Sequence, residues 1–133
     1  MAEKNRIEAA REGKASGKWN CAQAVGCAFC EATGVGEETM AQVGAAFGNG
    51  MGCMEGTCGA LTGAGLVLGM HYGGKRVEAM KAMRRIMAKF QARNGATICK
   101  VLKGVETGRP LRACADCVAD AAEFLEEELE AGG

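Results

Sequence analysis

Phe47-Gly48-Asn49-Gly50-Met51-Gly52-Cys53-Met54-Glu55-Gly56-Thr57-Cys58-Gly59-Ala60-Leu61-Thr62-Gly63 is the stretch from which the rest of the chain can be read. Its six glycines and two cysteines lead directly into an apolar run, Leu66-Val67-Leu68-Gly69-Met70. Backbone this rich in glycine turns sharply, visits positive φ and can aim several N–H groups at one point, as an anionic ligand or a buried thiolate requires. The pattern predicts a loop that delivers Cys58 to the start of a helix. There, unpaired N–H groups and the positive end of the helix dipole bias a thiol toward thiolate, the form that attacks disulfides and ligates metals.

Outward from this loop, every segment reads as helix. Residues 2 to 14 are charged, with a thin stripe at Ile7, Ala10 and Lys14 closed by Gly13 and Gly17. Asn20 is a good N-cap for a helix from Cys21 that ends at Gly34. Glu37, Glu38 and Thr39 open another, running to about Ala46. A helix from near Thr57 stops at His71-Tyr72-Gly73-Gly74, and the longest spans Lys75 to Arg93, with Val77, Met80, Met83, Met87 and Phe90 expected as its core side. Thr97 is placed to cap a short helix over Ile98 to Lys103, and the last begins at Cys114 with Val118, Ala121, Ala122, Leu125 and Leu129 on its apolar face. On that face Cys114 falls near the centre and Cys117 at the margin. No stretch alternates with period two between hairpin turns, so the expected fold is all-α: one domain over residues 1–133, a single bundle of five or six helices, with the glycine-rich loop carrying the cysteine site.

Composition narrows the function. A chain of 133 residues with 48% hydrophobic content can bury one core without disulfide staples. Sixteen basic residues balance sixteen acidic ones and aromatics are only 5%, which argues against a nucleic-acid surface. The charged start, Met1-Ala2-Glu3-Lys4-Asn5-Arg6, leads into no apolar export segment, so the cytoplasm is expected, and the run from Thr57 to Tyr72 is too short and glycine-rich for a membrane span. The Gly59/Gly63 and Gly65/Gly69 pairs are small-residue seams that let a helix approach closely, which leaves a homodimer open.

Eight cysteines in such a chain point to metal binding or redox work, because cytoplasmic thiols are kept reduced. Any single one can still be an ordinary small core residue. Cys27 and Cys30 fall about 240° and 180° round the helix from Cys21, so they are expected to serve packing rather than the same centre. His71, the only histidine, sits at a helix C-terminus, and Met80, Met83 and Met87 are better explained as core than as a soft copper site. No acid–base pair or phosphate loop is evident, since the glycine loop lacks a Lys-Ser/Thr ending. Whether the protein is an enzyme is left open.

Cys21, Cys58, Cys99 and Cys114 each lie within a turn of a predicted helix start, on four different helices. Helix ends meeting at one pocket would stabilise thiolates or the sulfides of a cluster. Asn20-Cys21-Ala22-Gln23-Ala24-Val25, the glycine loop, Cys58-Gly59-Ala60-Leu61-Thr62-Gly63, Cys99, and Cys114 followed by Val118-Ala119-Asp120-Ala121-Ala122-Glu123 together resemble the redox-active C_GCAxxG_C_C family, from about Ile7 to Leu129. The resemblance implies a small helical protein whose four signature cysteines, Cys21, Cys58, Cys99 and Cys114, act as ligands or redox thiols. Relatives of the domain occur in split-Soret cytochromes, where a cysteine-ligated iron centre accompanies haem. The haem does not carry over, because neither Cys27-x-x-Cys30 nor Cys114-x-x-Cys117 is followed by histidine.

Three functions follow from this reading. The first is an iron–sulfur cluster held by the four signature cysteines for electron transfer or sensing, with an unidentified redox partner protein. The second is a cofactor-free dithiol protein in which Cys58 attacks and another signature cysteine such as Cys21 resolves. The third is a structural zinc or a helical interaction module; against zinc stands the long, irregular cysteine spacing.

Overall fold

The computed structural model describes residues 2–131, and the all-α expectation holds: among these residues there is no strand, only an isolated antiparallel bridge between Thr57 and Ile98. Eight α-helices follow in order: α1 (Ala2–Ala15), α2 (Cys21–Ala28), α3 (Cys30–Thr33), α4 (Glu37–Gly44), α5 (Gly59–His71), α6 (Arg76–Asn94), α7 (Cys99–Lys103) and α8 (Cys114–Ala131). This exceeds the expected five or six. The extra ones are short, and one arises because the helix expected from Cys21 to Gly34 breaks at Phe29 (φ −110°, ψ 24°), which closes α2 and starts α3. The break turns Phe29 fully into the core while Cys30 stays half-buried.

Helix α5 explains the packing. It is apolar nearly all round, as a central helix should be, and it lies between α2, α6 and α8. Gly63 makes its contact with α2 possible: a Cβ there would meet the carbonyl oxygen of Ala22 at 2.6 Å. The Gly59/Gly63 seam is thus filled by α2. Leu61, Val67 and Leu68 from α5 join Val25, Phe29, Ile86, Phe90, Val118 and Leu125 in one fully buried cluster. Each side chain of this size contributes roughly 1.5–3 kcal/mol on leaving water.

The core side expected for α6 is partly displaced. Ala82, Ile86 and Phe90 are buried, Met83 and Met87 pack at the edge of the core, and Val77 and Met80 are exposed. The buried stripe runs one position before the methionines because α6 turns its Lys81/Arg84/Arg85 side outward while salt-bridging to α8. Arg85 holds Glu128 at 2.8 Å and Arg93 holds Asp120 at 2.9 Å, and on the opposite flank Arg6 of α1 holds Glu126 at 2.7 Å. Helix α8 is thus clamped along its length. Among the described residues no helix is long and apolar enough to cross a membrane.

Candidate functional site

Four helix starts face one cavity. Asn20 caps α2 with a full capping box: its side chain accepts from the N–H of Gln23 at 2.8 Å, and Gln23 Oε1 accepts from the N–H of Asn20 at 3.0 Å. The Asn20 amide also donates to the carbonyls of Gly44 and Ala45, tying the end of α4 to the start of α2. Cys21 follows directly. Cys58 is itself the N-cap of α5 (φ −47°, ψ 131°), its carbonyl accepting from the N–H groups of Leu61 and Thr62 at 3.0 and 3.2 Å. The cap expected of Thr97 falls instead to the backbone of Ile98, and Cys99 opens α7. Cys114 opens α8.

The isolated bridge sets Cys58 beside Cys99. The Cys58 N–H donates to Thr97 O at 2.7 Å, and the Cys99 N–H donates to Gly56 O at 2.9 Å. Two segments some forty residues apart are thereby locked in register, a link that helical periodicity cannot reveal. The glycine loop then folds over them. Asn49, Gly50, Met51 and Gly52 all have positive φ, between 56° and 79°. Gly50 must be glycine for a second reason: a Cβ would overlap the Cys99 side chain. Left-handed conformations at Asn49 and Met51 cost of order 1 kcal/mol each, and surrounding contacts must over-determine them. One such contact is the hydrogen bond from Lys103 Nζ to Asn49 Oδ1.

The cavity that results has a volume of about 420 Å³ and is lined by Cys21, Cys58, Cys99 and Cys114, the four signature residues, together with Cys117. Lys14, Lys103 and Arg112 supply a cationic wall. Arg112 is held there by Asp120, which accepts from its Nε and Nη2 at 3.0 Å each. Cys27, Cys30 and Cys53 are elsewhere: Cys27 and Cys30 point their thiols toward the carbonyls of Glu37 and Gly26, and Cys53 is exposed on the loop. His71 ends α5, twelve residues from Gly59, and packs edge-on against Tyr72. At 1.5 Å per residue that is about 18 Å from the cysteine end.

The thiols differ in how readily they ionise. Cys114 is drawn down to about 6, first by the Cys21 thiol that donates to it and then by Lys103 and Lys14, while Cys21 is pushed up as the partner that keeps its proton. Cys58 is lowered, first by the Cys117 thiol and then by the Ala60 and Leu61 N–H groups, and Cys117 is raised correspondingly. Burial raises Cys99, which has no such partner. Five thiols of unequal tendency to ionise thus share the cavity. Among the described residues no three Cys, His, Asp or Glu side chains stand close enough to hold a single metal ion as they are.

Cys117 is the site residue that sequence reasoning placed wrongly. It is 2% exposed and central, whereas Cys114, expected at the centre of the apolar face, is only half-buried. A helical wheel gives direction around an axis but not depth along it. Cys114 begins its helix at the rim of the cavity, so the residue one turn later reaches the interior. Lys14, Lys103 and Arg112 left no signal at all, because α1, the end of α7 and the loop before α8 that carry them come together only on folding.

Residues 19–128 match the model of the family described as "Putative redox-active protein (C_GCAxxG_C_C)". No curated protein and no solved structure matches the chain.

Proposed function

The chain belongs to the redox-active C_GCAxxG_C_C family, and from that premise we propose that its cavity holds an iron–sulfur cluster on Cys21, Cys58, Cys99 and Cys114 for electron transfer or redox sensing. One observation carries this reading: thiols from four separate helix starts line one space of about 420 Å³, more than a lone ion needs. Thiolate ligands suit iron–sulfur chemistry, and the cluster would supply one-electron exchange at a potential tuned by nearby charge and by donors to sulfur. The chain's own contributions are the Lys14, Lys103 and Arg112 charges, the N–H groups at the start of α5, and the apolar floor from Leu102. These offset the negative charge of four thiolates. Protein purified without oxygen is expected to be brown, with iron and acid-labile sulfide in equal amounts. Colourless protein free of both, when isolated from iron-replete cells, would sink the proposal.

A second reading has its own support. The paired thiols of Cys21 with Cys114 and Cys58 with Cys117 resemble the attacking and resolving partners of a dithiol couple. In this reading Cys114 leads in place of Cys58, because it is the more exposed of the two lowered thiols and lies nearer the lysines. Colourless, metal-free protein whose Cys114 reacts rapidly with a thiol reagent favours it.

A further inference from the structure

The cavity is lined by one cysteine more than the four-cysteine signature holds. The additional one, Cys117, stands one turn after Cys114 on α8, and both border the same space. Residues three apart on a helix are offset by only about 60° and carry Cβ atoms about 5–6 Å apart, so the two sulfurs are mounted side by side on one face. Their depth differs. Cys21, Cys58, Cys99 and Cys117 are each 6% exposed or less, whereas Cys114 is half-buried at the rim. The buried sulfurs of the cavity therefore make a set of four by themselves, drawn from the starts of α2, α5, α7 and α8. Ala121 and Ala122 are as deeply buried on the same helix; what separates Cys117 from them is that it borders the cavity.

We infer that Cys117 is a further ligand of the site, interchangeable with Cys114 at the fourth position of an iron–sulfur cluster whose other three ligands are Cys21, Cys58 and Cys99. This rests on the cluster reading given above and adds a donor that the signature lacks. Three helix starts supply one sulfur each, and the first turn of α8 supplies two.

The two arrangements differ in what they leave open. With Cys117 bound, all four ligands are shielded from water, and Cys114 is left as a free thiol on a wall that also carries Lys14 and Lys103. With Cys114 bound, one ligand stands at the rim, and solvent exposure of a ligand is among the factors that set a cluster's potential. Exchange between them moves no electron: Cys117 gives up its proton as it binds, and Cys114 takes one up as it leaves.

The test compares the full chain with Cys114→Ala, Cys117→Ala, the double variant and Cys99→Ala. Each is made in iron-replete cells, purified without oxygen and checked for folding by far-UV circular dichroism. Alanine is used because a serine hydroxyl could itself take the metal. Both single α8 variants are expected to keep most of their iron, acid-labile sulfide and visible absorption, while the double variant and Cys99→Ala lose at least about tenfold. Loss in Cys114→Ala equal to that in Cys99→Ala overturns the inference and returns Cys117 to packing; so does full retention in the double variant. A second measurement needs no variant to fold: in brown wild-type protein, iodoacetamide should label Cys114 without loss of colour. Bleaching in proportion to that labelling, or no labelling at all, overturns the exchange. Wild-type protein without iron and sulfide defeats the cluster reading itself, whereas a wild-type cluster that is lost in Cys114→Ala defeats this inference alone.

Discussion

The proton shared by Cys21 and Cys114 sets how the site responds to pH. Between about pH 6, where Cys114 ionises, and the ordinary thiol value of 9.0, the folded pair has released one proton while an unfolded chain keeps both. Stability from this pair therefore rises with pH across that window. Above 9.0 the sign reverses, since the unfolded chain loses both protons and the raised Cys21 retains its own. Alkylation of Cys114 by iodoacetamide should accordingly be half-maximal near pH 6, and in Cys21→Ala the midpoint should move up, because the Cys21 thiol is the largest cause of the depression. A midpoint unmoved in that variant would assign the effect to the lysines. At this scale the sequence was legible where a local rule applies: Asn20 as a cap and cysteines at helix starts follow from side-chain chemistry within a turn. It was not legible for Cys117, whose depth depends on where α8 meets the rest of the bundle.

At the scale of elements, the glycines of α5 divide by what they touch. Gly63 is pressed against α2, whereas a Cβ on Gly69 meets nothing within 4 Å. Gly63→Ala should destabilise by about 1–3 kcal/mol through overpacking against backbone. Gly69→Ala should instead stabilise by about 0.5–1 kcal/mol, since alanine loses less backbone entropy in a helix. Urea unfolding of the two variants checks both signs. Asn20→Ala removes a capping box and the amide ties to Gly44 and Ala45, and should cost about 1–2 kcal/mol in the same assay. Periodicity located the long helices because each buries a stripe. It could not foresee the break at Phe29 or the Thr57–Ile98 bridge, which arise from contacts between segments and not within them.

Across the whole molecule, acidic residues of α8 link its flanking helices to the cavity. Asp120 is buried, receives Arg93 from α6 and Arg112 from the cavity wall, and accepts from the Asn94 amide at 3.2 Å. Asp120→Ala should lower stability by roughly 2–3 kcal/mol, as expected when charged hydrogen bonds lose a buried acceptor. Freed of Asp120, Arg112 should leave its post, and thiol reactivity at Cys114 should change with it; a variant that loses stability but keeps wild-type reactivity would separate the clamp from the site. The all-α architecture was legible from composition and pattern, while the cationic wall was not, because Lys14, Lys103 and Arg112 meet only after folding. The bridge between Thr57 and Ile98 has one more consequence. During synthesis the ribosome delivers Cys21 and Cys58 long before Cys99, so the nascent chain exposes these thiols with no wall to shelter them until the segment from Cys99 to Cys117 has emerged. Completion of the site therefore waits on the later segment, and until then Cys21 and Cys58 lack the neighbours that line the cavity with them.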